Sequence, residues 1–374
     1  MLAVQGGQDG RMAGFGVQPK KSTQDGDVPV IGPPSDSVSS LAFNGNQNTA
    51  SNALLATSWD STVTCYQVQT QASGYGGGGT VSASPAGSIK HDGPALCCDF
   101  ASDNMTALSG GCDGTLRQWN IAQGPQSMTA VGRHDNAIRC LKFATNHNCV
   151  VTGSWDKSIR LWDLRSPAPV MNLPLTERVY AMDCKGDYVV VGTADKNISV
   201  IDLRSRQKIV PEYKSPLNYQ TRCISIFNDI GGFALGCIEG RVAIEYFSEV
   251  GQRNRTPKPP NQQSFVFKCH RDKSDIYAVN SIHFHNMNTF VTAGSDGVLS
   301  TWDKDNRSRL ANFDLHLKKV PVTDVKFSPN GTLMAYSLGY DWSKGADQAT
   351  LQQVQGKNAI MIHVLQSAEI SKKK

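Results

Sequence analysis

The sequence predicts an all-β protein in which repeated units form the seven blades of a β-propeller. The chain has 374 residues, and its 34 glycines and 17 prolines stand mostly between short apolar runs, a distribution that favours many tight turns. A unit of alternating strand, tight turn and second strand recurs along the chain. The acids that mark its turns lie between 39 and 57 residues apart and are Asp60, Asp113, Asp156, Asp195, Glu239 and Asp296.

The units follow one another from about residue 36 to residue 364. In the first unit, residues 38–43 alternate in polarity, residues 54–60 lead into the turn acid, and residues 63–66 supply a third strand. A period of about 40 to 45 residues with insertions is typical of WD40 repeats. We therefore predict a seven-bladed WD40 β-propeller. The later units begin near residues 95, 138, 179, 221, 278 and 322.

The third unit carries the residue types of the hydrogen-bonded tetrad that stabilises WD40 blades. In that tetrad the turn acid accepts a hydrogen bond from a histidine ring, and a serine hydroxyl links the histidine to an indole N–H. We assign these roles to His134, Ser154, Asp156 and Trp162. His91, Asp113 and Trp119 have the same residue types in the second unit. Because the set recurs where only blade stability requires it, we interpret it as structural rather than catalytic.

The ends of the chain differ from its middle. Residues 1–26 lack apolar periodicity and are rich in Gly, Gln, Asp and Ser, so we predict a disordered segment. Residues 27–31 alternate in polarity, and we expect them to form the outer strand of blade seven beside residues 360–364, which closes the ring. The propeller then spans residues 27–366. Residues 367–374 are predicted to be a basic, solvated tail.

Composition and motifs give no support to catalysis. The chain contains none of the glycine-rich nucleotide-binding, serine-nucleophile or zinc-protease motifs, so we predict no enzyme activity and no cofactor. His283 and His285 are too few for a metal site. The ten cysteines form no CxxC pair and favour a reducing compartment, and no apolar run approaches the length of a membrane span. The net charge of +5 is mild.

One face of the predicted propeller has the composition of a binding surface. Trp59 and Trp155 each stand directly before a turn acid, where the blade itself does not require a large aromatic side chain. Exposed tryptophans often anchor protein interfaces. Arg241 follows a turn glycine, and Lys268 and Arg271 follow the basic loop of residues 250–264. We expect these residues to make one face both aromatic and cationic.

Four segments contain sequences that the repeat pattern alone does not require, namely residues 215–244, 265–280, 302–305 and 340–345. They closely resemble the Rae/Gle family, the WD40 proteins of messenger-RNA export at the nuclear pore. The first segment also occurs in the related Bub-type spindle-checkpoint proteins, whereas the last favours the export branch. The sequence departs from the family in the glycine-rich loop at 74–79 and in the basic loop at 250–264.

The resemblance implies a partner and a set of contacts. The partner would be a GLEBS segment of an FG nucleoporin, lying as a hairpin across one propeller face. Trp59 and Trp155 would contact it, and Arg241, with Lys268 or Arg271, would pair with its glutamates. The resemblance also implies a groove for nucleic acid and viral proteins, formed by Phe267, Trp302, Lys304 and Arg307. Single-stranded RNA or a messenger ribonucleoprotein is therefore a further expected partner.

The expected function is that of a non-enzymatic scaffold, monomeric within a heteromeric complex. It would support messenger-RNA export and lie in the nucleus at the nuclear pore, and also in the cytoplasm, without binding membrane. Two alternatives stay open. One is a spindle-checkpoint scaffold that binds GLEBS-like motifs of mitotic kinases. The other is a substrate adaptor of a ubiquitin ligase.

Overall fold

A computed structural model confirms the seven-bladed propeller. The structure describes residues 20–21, 26–45, 51–71, 80–166, 168–205, 207–208, 212–247, 263–315, 320–345 and 357–372. Within these ranges, seven blade sheets succeed one another along the chain, antiparallel except for one edge strand, and the first strand of each blade packs against the first strand of the next. The glycine-rich loop at 74–79 and most of the basic loop at 250–264 lie outside the described residues.

The strands of the seven blades are numbered in chain order. Blade one contains β3 (Val38–Phe43), β4 (Ser51–Ser58), β5 (Thr62–Gln71) and β6 (Thr80–Lys90). Blade two contains β7 (Ala95–Phe100), β8 (Thr106–Gly111), β9 (Thr115–Asn120) and β10 (Thr129–Arg133). Blade three contains β11 (Ile138–Ala144), β12 (Cys149–Ser154), β13 (Ser158–Trp162) and β14 (Met171–Pro174). Blade four contains β15 (Val179–Lys185), β16 (Tyr188–Thr193), β17 (Asn197–Asp202), β18 (Gln207–Lys208) and β19 (Tyr213–Lys214). Blade five contains β20 (Thr221–Ile226), β21 (Gly232–Cys237), β22 (Arg241–Tyr246) and β23 (Phe265–Lys268). Blade six contains β26 (Val279–Phe284), β27 (Thr289–Gly294), β28 (Val298–Asp303) and β29 (Ser308–Asp314), with β1 (Lys20–Lys21) at its edge. Blade seven contains β30 (Val322–Phe327), β31 (Leu333–Leu338) and β32 (Ala359–Val364), with β2 (Val28–Pro29) at its edge.

Three short elements lie between strands, one of them between blades five and six and the others within blades two and three. They are a two-stranded ribbon of β24 (Arg271–Asp272) and β25 (Asp275–Ile276) and two 3₁₀ turns at Pro125–Ser127 and Thr145–His147. The chain ends in a short helix, α1 (Ser367–Ile370). No helix in the described part of the chain has the length and apolarity needed to cross a membrane.

The apolar cores lie between neighbouring blades, because each sheet has one face towards the preceding blade and one towards the next. One core joins blade one to blade seven and contains the fully buried Leu41, Leu54, Tyr66, Ile360 and Ile362. Side chains on both faces of the central strands are therefore buried, as at Val189, Val190 and Val191. This arrangement explains why strict alternation is clearest in the first strand of each repeat.

The ring closes as predicted from residues 27–31. Val28 pairs with Ile362 across an antiparallel ladder, and the Val30 N–H donates to the Ile360 carbonyl at 2.8 Å. A strand from the start of the chain thus completes the sheet formed by its end. The inner strands also meet, since the Leu41 N–H donates to the Asp324 carboxylate at 2.7 Å.

Two expectations about the termini are wrong in part. Lys20–Lys21, within the segment predicted to be disordered, form a strand parallel to β29 of blade six. The predicted solvated tail contains α1, in which Glu369 and Ile370 are buried. Its carbonyls accept hydrogen bonds from blade six, with Thr301 Oγ1 2.6 Å from Glu369 O and Thr289 Oγ1 2.9 Å from Ile370 O. A short apolar turn after β32 can therefore dock even though three lysines follow it.

Candidate partner-binding face

The turns between the second and third strands of the blades all lie on one side of the propeller, called here the upper face. In blades one to four and in blade six, the turn acid accepts a hydrogen bond from the backbone N–H two residues later. The distances are 3.0 Å from Thr62 N to Asp60 Oδ1 and 3.0 Å from Ser158 N to Asp156 Oδ1. This local closure fixes the residue that precedes the acid. Trp59 and Trp155 are therefore held at equivalent places on two blades.

The tetrad of blade three supports the Trp155 turn from below. The His134 Nδ1–H donates to Asp156 Oδ2 at 2.7 Å, and the Thr152 hydroxyl donates to His134 Nε2 at 2.7 Å. The Trp162 indole N–H donates to Thr152 Oγ1, also at 2.7 Å. Burial by itself raises the pKa of Asp156, but the hydrogen bonds from His134 and Ser158 outweigh it and hold that pKa well below its usual value.

The assignment of Ser154 to this tetrad is wrong. The linking hydroxyl belongs to Thr152, because Trp162 pairs with Val150 and its indole reaches a residue two positions along β12. Ser154 lies beyond the last residue of β12 that pairs with β13. Its hydroxyl instead donates to Asn136 O at 3.1 Å and accepts from Asp156 N at 3.0 Å. Ser154 thus shapes the turn rather than the buried network.

Two other blades carry related networks. In blade two, His91 Nδ1 lies 3.1 Å from Asp113 Oδ2 and Nε2 lies 2.8 Å from Ser109 Oγ. The buried Trp119 Nε1, however, has no hydrogen-bond partner among the described residues. Blade six contains a complete tetrad, which our sequence analysis missed. It joins His270 Nδ1 to Asp296 Oδ1 at 2.9 Å, His270 Nε2 to Thr292 Oγ1 at 2.8 Å, and Trp302 Nε1 to Thr292 Oγ1 at 2.9 Å.

The upper face surrounds the mouth of a central cavity of about 1020 Å³, which the inner strands enclose. Trp59 and Trp155 both line this cavity, and Trp59 is 40% exposed while Trp155 is half-buried. Trp342 also lines it and is 48% exposed. The sequence analysis placed Trp342 within the family-like segment 340–345 but did not predict that it lies on the binding face. Its position directly after Tyr340-Asp341, in the turn between β31 and β32, was the available signal.

The predicted cations gather at the upper corner of blade five. Arg241 and Lys268 are paired neighbours on β22 and β23, and Lys268 is exposed. Arg241 Nε lies 3.2 Å from Glu239 Oε2 in an ion pair, without the alignment of a hydrogen bond. Arg271 donates to the Glu239 carbonyl at 2.9 Å and lies 3.8 Å from its carboxylate. One carboxylate thus faces two arginines, with an exposed lysine beside them.

The residues expected to form a nucleic-acid groove do not make an open stacking surface. Phe267 and Trp302 are each 3% exposed, and their rings pack 4.9 Å apart in the core between blades five and six. The Lys304 side chain is buried over Phe227, and its Nζ is 2.7 Å from Asp305 Oδ1. Arg307 lies over the Phe265 ring at 4.4 Å. The Trp302 indole is a tetrad member, so it offers no exposed ring to the groove that the resemblance implied.

The two histidines considered as a ligand pair bond to backbone instead. His283 Nδ1 accepts from Phe327 N at 3.1 Å, and His285 Nε2 donates to Gly331 O at 2.9 Å. Among the described residues, no group of three or more His, Cys, Asp or Glu side chains could hold a metal ion. All ten cysteines are free thiols.

Comparison with known proteins agrees with the blade chemistry. The family model described as "WD domain, G-beta repeat" matches residues 84–120, 126–163 and 261–303. These ranges contain the three histidine–aspartate networks of blades two, three and six. The chain is also 43% identical to "Protein RAE1" of Arabidopsis thaliana over 341 residues, which cover 91% of each protein.

The chain belongs to the Rae1/Gle2 family. Two further members agree in length and sequence. The chain is 40% identical to "mRNA export factor GLE2" of Chaetomium thermophilum, with 85% of each protein covered. It is 38% identical to "mRNA export factor" of Danio rerio, with 90% of this chain and 88% of the relative covered. The sequence similarity to Rae1/Gle2 proteins thus extends over nearly the whole propeller and not merely over the three repeats that the family model matches.

Proposed function

We propose that the protein is a messenger-RNA export scaffold whose upper face docks a GLEBS-type segment of an FG nucleoporin. The observation that carries the proposal is the arrangement of Trp59, Trp155 and Trp342 around one cavity mouth, with the cations of blade five at its edge. The printed names of the relatives, "mRNA export factor" among them, support the export role. Such a role places the protein in the nucleus, at the pore, and in the cytoplasm.

Aromatic and cationic groups make different contributions to such an interface. Burial of a large, partly exposed aromatic side chain supplies affinity, and tryptophan is among the residues that most often dominate binding. Cations at the rim select acidic segments and speed association. Two further exposed apolar residues lie in blade five. Ile238, 41% exposed, directly precedes Glu239 as Trp59 precedes Asp60, and Tyr219, 51% exposed, lies just before β20. A segment that crosses the face would bury both kinds of group.

The proposal is tested by titrating the full chain with three peptides in a calorimeter. The peptides are a GLEBS segment of an FG nucleoporin, a GLEBS-like segment of a mitotic kinase, and a scrambled nucleoporin segment of equal charge. We expect tight binding of the nucleoporin segment and little heat from the scrambled one. Preference for the kinase segment would favour the checkpoint scaffold. Absence of binding to both, with a ubiquitin ligase recovered from cell extract, would favour the adaptor.

A further inference from the structure

The inner strands share an irregularity that directs seven side chains into the central cavity. In every blade the register between the first and second strands shifts at the second residue of the first strand, which is therefore a bulge residue. Bulges re-aim side chains and are common beside functional sites. All seven bulge residues line the cavity just below the upper face. They form a ring of equivalent positions whose chemistry can be compared directly.

Four of the seven bulge residues have no side-chain hydrogen-bond donor left for a ligand. Leu96 is apolar. The Ser39 hydroxyl donates to the Ala95 carbonyl at 2.6 Å, and Asn280 Nδ2 donates to the Val322 carbonyl at 2.9 Å. The Thr323 hydroxyl lies 2.7 Å from that of Ser337. The bonds of Ser39 and Asn280 join neighbouring blades, and that of Thr323 lies within blade seven, so no ligand is needed to explain these residues.

The other three members are Arg139, Tyr180 and Arg222, on the adjacent blades three, four and five. Neither arginine makes a hydrogen bond or an ion pair with any residue that the structure describes, and both are half-buried. The pKa of Arg222 is lowered, first by burial and also by the charge of Arg139, while Asp341 opposes this only in part. Asp341 is itself engaged by Ser295 and by the Ser343 N–H. Two cations thus face one space, and the carboxylate that acts most strongly on Arg222 is already engaged by other donors.

We propose that Arg139, Tyr180 and Arg222 form a binding site for the phosphate dianion of a small molecule in the mouth of the channel. Two guanidinium groups match a doubly charged oxyanion, and each can hold two of its oxygens with parallel hydrogen bonds. The tyrosine hydroxyl adds a third donor from the blade between them. The cavity of about 1020 Å³ leaves room for the rest of a phosphorylated ligand. The site lies below the rim, so it is distinct from the surface proposed for the peptide.

The probe is inorganic diphosphate, titrated into the full chain at low ionic strength, with KCl of matched ionic strength as the blank. We expect saturable binding, weakened about 10-fold in Arg139→Gln and in Arg222→Gln, since one charge-assisted contact is removed. Arg204→Gln is the matched control, because that guanidinium is 59% exposed and already paired with Asp202 at 2.6 Å. It should bind as the wild type does.

Thermal unfolding separates binding from a structural role. Without ligand, Arg222→Gln should unfold no earlier than the wild type, because the cation removed has no partner in the blade. Diphosphate should raise the melting temperature of the wild type and not that of the variant. No saturable binding by the wild type, or equal binding by all four proteins, would overturn the site. A lower melting temperature of the ligand-free variant would likewise assign Arg222 to blade stability instead.

Discussion

His363 Nδ1 lies 2.5 Å from Asp27 Oδ1, which joins the last blade strand to the segment that closes the ring. The other ring nitrogen of His363 is 3.0 Å from Glu369 Oε2, on α1. Both ends of the propeller therefore meet at one imidazole ring, which is 7% exposed. The Tyr336 hydroxyl donates to the second oxygen of Asp27. An imidazolium between two carboxylates holds three elements together that are distant in sequence.

The network of Asp27, His363 and Glu369, called here the latch, predicts that the protein loses stability in alkaline solution. Burial lowers the pKa of His363, but the hydrogen bonds and charges of Asp27 and Glu369 outweigh it and raise that pKa to about 9. Because the folded pKa exceeds the unfolded value, the stabilisation is complete below about pH 6.5 and is lost as the pH rises through about 9. The shift corresponds to about 3 kcal/mol of unfolding free energy.

The measurement is the melting temperature of the wild type and of His363→Asn between pH 6 and pH 10. The difference should be largest near pH 6 and should narrow above pH 8, since the variant lacks the titrating group. Lysines and thiols elsewhere titrate in both proteins, so they do not change the difference in melting temperature. A difference that stays constant over this range would contradict the latch.

The blade-three tetrad predicts unequal costs for two neighbouring hydroxyls. Thr152→Val keeps the side-chain volume but leaves His134 Nε2 and the Trp162 N–H without partners, which should lower the free energy of unfolding by about 2–4 kcal/mol. Ser154→Ala removes weaker contacts of the turn and should cost about 1 kcal/mol. Chemical denaturation of both variants checks the order. Equal costs, or a greater cost at Ser154, would restore the assignment made from the sequence.

The tryptophans of the upper face predict losses of affinity without loss of fold. Trp59→Ala and Trp155→Ala should each weaken the nucleoporin segment by about 30-fold, the effect of removing an interface anchor of about 2 kcal/mol. Met105→Ala is the control, because Met105 is 39% exposed, nearly as much as Trp59, and lies in a turn on the opposite face. Calorimetry should show unchanged binding for it. Loss of binding in the control variant would indicate a different docking face.

The repeat pattern was sufficient to predict the blades and their closure, because a period in the sequence becomes a period in space. It was not sufficient to choose between Thr152 and Ser154, which stand two apart and are chemically equivalent from the sequence. The burial of Trp302 could have been predicted. Trp302 precedes an aspartate at the end of a third strand, as Trp162 does, and His270 precedes Asp296 as His134 precedes Asp156. Family resemblance alone had suggested an exposed groove there.

Other features depend on contacts between distant segments and have no local signal. The bulge residues Arg139 and Arg222 look like ordinary polar positions of alternating strands, and their lack of a partner is visible only once the ring closes. Docking of α1 depends in the same way on Thr289 and Thr301 of blade six. The ion pair of Arg241 with Glu239 is different, because its two members stand only two residues apart in the sequence.

That ion pair decides what to expect of Arg241→Ala. The guanidinium is 27% exposed and Glu239 is 23% exposed, so the pair is neither fully buried nor freely solvated. A carboxylate of the docked segment must compete with Glu239 for Arg241. The loss of affinity should therefore be about 2 kcal/mol, roughly 30-fold, between the values of exposed and buried pairs. The melting temperature should change little, because Glu239 keeps Arg271. Arg165→Ala, at an 81% exposed side chain, should leave binding unchanged.

Glu239→Gln provides the decisive comparison, because it removes the competitor and leaves the arginine in place. If Arg241 contacts the segment, this variant should bind more tightly than the wild type, and the gain should disappear when Arg241→Ala is added. If Arg241 serves only the blade, both single variants should unfold earlier and bind the segment as the wild type does. Calorimetry and thermal unfolding of the four proteins in this cycle distinguish the two roles, since one moves the affinity and the other moves the melting temperature.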